Sequence, residues 1–263
     1  MKILSFIFET TLTFSEPVTC HNFVLRCLPA STPSQTILDC QAIIAPHTAI
    51  NHQVDGFGNR LQIGRIEAAH REFSFVSNGM AVVDTISATT SCEEAHPMYL
   101  NPSVFAAANT AMRDFAHEAA PDTTDPWSVA CTLSDAIHQQ LRYEQGVTDV
   151  STTAAQAFEQ QRGVCQDFAH ILIALLRARG IPARYVNGLI VGEGATHAWV
   201  EVHDGKRWRG IDPTHARPVD DCYIVLSHGR DFADCPIDSG VFRGNAQQKQ
   251  HVAVQVFDQA TQQ

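Results

Sequence analysis

The sequence predicts an α+β fold in two parts. Residues 1–96 form an N-terminal antiparallel β domain, and residues 97–263 form a second domain in which one buried central helix packs on an antiparallel sheet. Three observations support this prediction. Short runs of β-branched and aromatic residues fill the first part, a helix that is apolar on almost every side follows Gly163, and a strand near residue 197 returns through an Asp-Gly turn.

The first part contains runs with the composition of β-strands: Thr10–Phe14, Asn22–Leu28, Thr36–Ile44, Arg60–Ala68, Glu72–Val76 and Met80–Ser87. Turn signals separate the runs, among them the dipeptide Asn78-Gly79 and the segment Asp55–Asn59. This spacing predicts an antiparallel sandwich or meander. No constellation of chemically reactive side chains stands out in this part.

The second part begins with helices whose apolar residues recur at helical spacing. The predicted ranges are 104–115, 127–141 and 154–161. Pro126 suits the first position of the second helix. The apolar stripes of these helices are typical of faces that pack into a core.

A fourth helix begins at Cys165, after Gly163 allows a tight turn. It is apolar on almost every side, which indicates a buried helix, and it ends at Gly180 before Pro182. Cys165 therefore lies at the N-terminus of a core helix. The helix dipole there favours a thiolate over a thiol.

Residues 196–203 alternate as a strand, and Asp204-Gly205 predicts a two-residue hairpin turn. Counting back from that turn along the return strand places Asp212 directly opposite His197. Opposed side chains lie on the same face with Cβ atoms about 5 Å apart. We expect Nδ1 of the imidazole to face the carboxylate and the other nitrogen to face the thiol.

A thiol at a helix start, with a paired imidazole and carboxylate, is the arrangement that activates a thiol nucleophile. A lone cysteine is usually a small buried apolar residue. A lone histidine usually lies on the surface, or in the core with its hydrogen bonds made. The combination of Cys165, His197 and Asp212 favours catalysis. Tyr143 has two interpretations: a half-buried aromatic residue, or a hydroxyl that lines the pocket of Cys165 and donates to an oxyanion.

The segments RGVCQDFAHILIALLRARGIPARYV, THAWVEV and W-x-x-IDPT resemble the transglutaminase-like superfamily of papain-type cysteine enzymes. The resemblance covers roughly residues 127–231. The segments FSEPV and VDGFGN resemble the N-terminal β domain of the bacterial type. The resemblance implies a papain-like core with Cys165 as nucleophile, His197 as base and Asp212 as orienting acid. It also implies acyl transfer on amide bonds of a protein or peptide substrate, by a peptidase, an amidase or a transglutaminase, without a cofactor.

Two other classes of function stay open. One is a non-catalytic protein- or peptide-binding module that keeps this fold, although a binder has no need of the thiol. The other is a metalloprotein with Cys165 and His197 as ligands. The sequence has eight cysteines and no CxxC pair, which argues against structural zinc and, without a signal peptide, against disulfides.

Composition and charge argue against some classes of binding partner. The chain has 263 residues, of which 44% are hydrophobic, and a net charge of −10 from 28 acidic and 18 basic residues. This charge argues against binding to nucleic acid or to an anionic membrane. The apolar run Ile3–Phe8 is too short for a signal peptide or a membrane span. We therefore predict a cytoplasmic protein; its oligomeric state is left open.

Overall fold

The computed structural model describes residues 1–86, 93–121 and 123–261. The last residue of the predicted strand Met80–Ser87 and one cysteine, Cys92, lie outside these ranges. The strands are β1 Lys2–Leu25, β2 Gln35–Ala45, β3 Ile50–Val54, β4 Arg60–Ile66, β5 His70–Val83, β6 Arg142–Tyr143, β7 Arg162–Gly163, β8 Ala183–Ile190, β9 Gly192–Gly194, β10 His197–His203, β11 Trp208–Asp212, β12 Arg217–Pro218, β13 Tyr223–Gly229, β14 Asp238–Arg243 and β15 Gln248–Asp258. The α-helices are α1 Thr110–Ala119, α2 Pro126–Gln140, α3 Ala154–Gln160 and α4 Cys165–Ala178.

An antiparallel sheet with the strand order β2-β5-β1-β15-β9 dominates the N-terminal part. Its long strand β1 spans two of the predicted runs. The pairing of β1 with β5 is interrupted by an irregularity between Thr13 and Val18 and resumes at Val18. The first half of β1 pairs with β5 and β15, and the second half pairs with β4 and β14. A left-handed residue, Cys20 (φ 49°), lies where the strand changes partners.

The turn predicted at Asn78-Gly79 is wrong, since both residues lie inside β5. A glycine at position 79 is explained by the space available there, not by a turn. A Cβ added there would come within 2.8 Å of the Cα of Cys40 on the neighbouring strand β2. The glycine therefore permits a close approach of two strand backbones. The turn predicted at Asp55–Asn59 is present between β3 and β4.

The predicted helices 127–141 and 154–161 correspond to α2 and α3, but the helix predicted over 104–115 begins only at Thr110. Asn109 is the reason, because its side chain accepts the N–H of Met112 at 2.9 Å and caps the helix there. Upstream, the N–H of Phe105 donates to Asp231 at 2.8 Å instead of entering a helix.

A second antiparallel sheet has the order β12-β11-β10-β8-β13 and carries α4 on one face. Ala198, Val200 and Val202 of β10 point into the core that α4 shares with the other helices, as the alternation predicts. Trp199 lies on the opposite face, packed with Tyr223. α4 ends before Gly180, whose positive φ of 71° fits the predicted C-terminal cap.

The C-terminal strands return to the first sheet. β15 pairs along the first half of β1, β14 pairs along its second half, and the short strand β9 extends the sheet beyond β15. Residues on both sides of the predicted boundary at 96/97 thus share one sheet. Among the described residues no helix is long and apolar enough to cross a membrane.

Candidate active site

Cys165 begins α4, and the residues before it fix how the chain enters the helix. Gly163 leaves no room for a side chain, because an added Cβ would lie 2.7 Å from the Cβ of Asp167. The carboxylate of Asp167 accepts the N–H of Val164 at 2.8 Å and the hydroxyl of Thr148 at 2.7 Å. The first turn of the helix therefore holds the thiol in a fixed position.

The N-terminus of α4 also presents unpaired backbone donors. Within the part of the chain that the structure describes, no acceptor takes the N–H of Cys165 or of Gln166. Free N–H groups at a helix N-terminus, together with the helix dipole, attract negative charge. They are placed to stabilise both a thiolate and an oxyanion formed beside it.

His197 is the first residue of β10, and its ring lies between Asp212 and Cys165. Nε2 lies 2.8 Å from Oδ2 of Asp212, and Cys165 is near enough to raise the pKa of the ring, which leaves Nδ1 for the sulfur. The predicted orientation of the ring was therefore wrong. Asp212 lies diagonally along the neighbouring strand, so the ring reaches it with its distal nitrogen.

The β10–β11 hairpin differs from the prediction by two residues. His203 pairs with Trp208, whereas a two-residue turn would pair it with Lys206. The cause is Asp204, whose Oδ1 accepts two backbone N–H groups of the turn at 3.0 Å each and stabilises a four-residue loop. A shift of two residues keeps every side chain on its predicted face. The predicted histidine–aspartate pair still meets, diagonally rather than directly across.

Asp212 is fully buried at the end of β11, and both of its carboxylate oxygens accept hydrogen bonds. Oδ1 accepts the backbone N–H groups of Thr214 at 2.9 Å and His215 at 3.3 Å. Oδ2 accepts from Nε2 of His197 at 2.8 Å, from Nδ1 of His215 at 2.7 Å and from the hydroxyl of Tyr223 at 2.9 Å. A buried carboxylate with this many donors stays ionised.

His215 and Tyr223 join the site although the sequence analysis did not identify them. His215 carries a local signal, since it lies three residues after Asp212 in the turn that ends the strand. Tyr223 carries none, because only the pairing of β13 with β8 brings its hydroxyl to the carboxylate.

The charges of the site follow from these contacts. Burial lowers the pKa of His197, but its hydrogen bonds to Asp212 and Cys165 outweigh burial and raise the pKa to about 9. Burial raises the pKa of Asp212, but hydrogen bonds from His197 and His215 lower it to about 2. At neutral pH His197 is therefore an imidazolium, fixed by a carboxylate on the side of the ring away from Cys165.

Tyr143 lies near the start of α4, which is compatible with both of its predicted interpretations. The two-residue strands β6 and β7 pair in parallel with Tyr143 next to Gly163, two residues before Cys165. The ring is half exposed. Burial of the hydroxyl and the nearby negative charge of Cys165 both raise the pKa of Tyr143, which keeps it a donor at neutral pH.

The ligand-type atoms of His197, Asp212 and His215 lie within 4.8 Å of one another. Two imidazoles and a carboxylate can bind a transition-metal ion. The N–O separations of 2.7 and 2.8 Å are those of charge-assisted hydrogen bonds, however. Hydrogen bonding thus accounts for this cluster without an ion.

Two family models match the chain. Residues 113–213 match the Transglutaminase-like superfamily, and residues 4–81 match the Bacterial transglutaminase-like N-terminal region. The chain thus contains a transglutaminase-like core and a bacterial transglutaminase-like N-terminal region. The first match contains Cys165, His197 and Asp212, and the second covers most of the N-terminal sheet. The resemblance seen in the sequence motifs is confirmed.

Similar proteins match either most of the chain or less than half of it. An uncharacterized protein of Mycobacterium leprae is 27% identical over 95% of this chain and 96% of its own length. An uncharacterized protein of Mycobacterium tuberculosis is 37% identical over 44% of this chain and 42% of its own length. The crystal structure of a candidate cysteine protease from Cytophaga hutchinsonii superimposes with a TM-score of 0.78 at 25% identity, covering 98% of this chain and 92% of that one. The predicted α+β fold, with a transglutaminase-like core, is confirmed, and the chain is of the cysteine-enzyme kind.

Proposed function

We propose that this protein is a cysteine-dependent acyl-transfer enzyme that acts on amide bonds of a protein or peptide through a thioester. One observation carries the proposal. The buried carboxylate of Asp212 fixes His197 as an imidazolium against Cys165, at a helix N-terminus with unpaired N–H groups. A thiolate, an acid and an oxyanion donor therefore lie within reach of one carbonyl group.

In the first half-reaction the thiolate of Cys165 attacks the carbonyl carbon of the amide, and the C–S bond forms. The carbonyl electron pair moves to oxygen, where the N–H of Cys165 donates to the oxyanion. A donor of this kind contributes about 3 kcal/mol. The intermediate then collapses, the C–N bond breaks, and His197 gives its Nδ1 proton to the departing amine.

In the second half-reaction the neutral imidazole of His197 takes a proton from water or from an amine. The activated nucleophile attacks the thioester carbonyl, the C–S bond breaks, and the sulfur leaves as a thiolate beside the restored imidazolium. Water yields a carboxylic acid, which makes the enzyme a peptidase or an amidase. An amine yields a new amide, which makes it a transglutaminase.

The test is a substrate profile of the purified protein. A peptide mixture is incubated with it, and three products are measured: new amine termini, released ammonia and incorporation of a primary-amine probe. New termini identify a peptidase, ammonia alone an amidase, and incorporation a transglutaminase. The variant Cys165→Ala should abolish the product. Cys131→Ala, which removes a partly buried thiol of α2, is the matched control and should retain it.

Two outcomes would reject the proposal. A product formed equally by the wild type and by Cys165→Ala would mean that another group carries the chemistry. Peptide binding with no product, unchanged in Cys165→Ala, would instead identify a non-catalytic binding module.

A further inference from the structure

Two imidazoles share one carboxylate oxygen at the candidate active site. Nε2 of His197 and Nδ1 of His215 lie 2.8 and 2.7 Å from Oδ2 of Asp212, and the ring centroids are 5.2 Å apart. The side chain of His197 is 11% exposed, whereas that of His215 is 49% exposed. The proposed reaction uses the first imidazole and leaves the second without a role.

His215 is bound to the carboxylate at two points. Its backbone N–H donates to Oδ1 of Asp212 at 3.3 Å, and its ring Nδ1–H donates to Oδ2. Hydrogen bonds of an exposed histidine to a surface acid usually contribute little, because water competes for both partners. Asp212 is fully buried, so water does not compete for its carboxylate, and each hydrogen bond changes how strongly the carboxylate attracts its other partners.

We propose that His215 is a positioning residue of the active site, which shares the carboxylate of Asp212 with His197 and limits the negative charge that reaches the catalytic imidazole. The inference rests on the proposed acyl-transfer function and adds a residue to it. A donor that satisfies the carboxylate weakens its remaining attraction for the imidazolium. His197 then releases its proton to the leaving amine more readily than it would beside Asp212 alone.

His215 acts through charge and orientation rather than by passing protons. A relay between the two rings would require Asp212 to take up a proton. Its hydrogen bonds hold the pKa of that carboxyl at about 2 in spite of burial, so it stays ionised throughout the neutral range.

The charged and titratable groups of the hydrogen-bonded cluster around Asp212 and His215 come from four strands. They are His197 of β10, Asp212 of β11, Arg217 of β12 and Tyr223 of β13. Arg217 donates to the hydroxyl of Tyr223 at 3.1 Å and keeps its charge, while burial raises the pKa of Tyr223.

The experiment compares two substitutions of His215. His215→Phe keeps a ring of similar shape but removes the donor, whereas His215→Asn keeps an N–H donor. His251→Asn, on an exposed position of β15 in the other sheet, is the control. The titration of His197 is followed by NMR on histidine-labelled protein, with its signal assigned from a His197→Gln variant, and kcat and KM are measured in parallel.

In His215→Phe the pKa of His197 should rise by about 0.5–1 unit, the size expected for one hydrogen bond to the charged partner. kcat should fall by about threefold to tenfold with KM unchanged, because His197 becomes a weaker acid. His215→Asn should restore the titration and most of kcat. His251→Asn should match the wild type in both measurements.

An unchanged titration of His197 in His215→Phe would overturn the inference. So would a rise in KM alone, which would mean that the ring contacts substrate, or a difference between variants that disappears when a bound metal ion is removed by chelation. The NMR titration needs no substrate. It therefore tests the role of His215 even if the proposed function fails, and an active enzyme with an unaffected His197 rejects this inference alone.

Discussion

Replacing Asp212 by Asn removes the buried charge that holds the imidazolium. In the wild type the pKa of His197 rises from 6.5 to about 9 although burial alone lowers it. This rise corresponds to about 3 kcal/mol in favour of the charged ring, and the partners supply more than that because they also offset burial. Without the carboxylate, only Cys165 still opposes the effect of burial. The pKa of His197 should then fall well below 9.

The expected result is a loss of turnover with a changed pH profile. kcat should fall by about 10²–10⁴, as in other enzymes that lose the orienting acid. The alkaline limb of kcat/KM, which reports the loss of the imidazolium proton, should move to lower pH from near pH 9. Asp204→Asn, in the loop of the same hairpin, is the matched control and should keep both values, because its side-chain oxygen can still accept the backbone N–H groups.

The fold should survive the Asp212→Asn substitution with reduced stability. The amide nitrogen of Asn would face the three donors that now share Oδ2, and each unsatisfied buried donor costs about 1–3 kcal/mol. The two imidazoles can change tautomer to accept from the amide, which limits the loss to about 1–3 kcal/mol in total. Thermal unfolding followed by circular dichroism measures it. An alkaline limb that stays near pH 9 with unchanged kcat would refute the role given to Asp212.

Four further outcomes are expected. Brief iodoacetamide treatment at pH 6–7 should label Cys165 before the other cysteines, as peptide mapping would show; preferential labelling elsewhere would contradict an activated thiol. The free energy of unfolding should decrease as pH rises from 6.5 through about 9, because the stabilisation from the raised pKa of His197 is complete below pH 6.5 and is lost when the ring is deprotonated. Chemical unfolding at pH 6.5 and 9.5 measures this decrease, which His197→Gln should lack. Gly163→Ala should lower stability by about 1–3 kcal/mol through its clash with Asp167, and an unchanged melting temperature would argue against that contact. Tyr143→Phe should lower kcat about tenfold at constant KM if the hydroxyl donates to the oxyanion, and an unchanged kcat would leave it a packing residue.

Much of the site could be predicted because its signals are local. The apolar run after Gly163 and the cap at Gly180 define α4, and therefore the helix-start position of Cys165. The alternation of β10 defines which side chains share a face. Since a register error of two residues does not change the face, His197 and Asp212 were placed on the correct face, although they meet diagonally and not directly across as predicted.

The remaining features depend on contacts between distant segments. A hydrogen bond from the side chain of Asp204 to its own turn decides the loop length, and composition alone favoured a shorter one. The hydroxyl of Tyr223 reaches Asp212 only through the pairing of β13 with β8. The pairing of β15 with β1 joins the two ends of the chain, and no local pattern indicates it.

The most direct test of the account is the identification of the acylated residue. The protein is mixed with p-nitrophenyl acetate, quenched in acid and analysed by peptide mass mapping. Because this small ester is already activated, the test can be made without knowing the natural substrate. We predict one acetyl group on Cys165 as a thioester, absent in Cys165→Ala and much reduced in His197→Gln. Acetylation spread over several cysteines, or unaffected by the loss of His197, would contradict it.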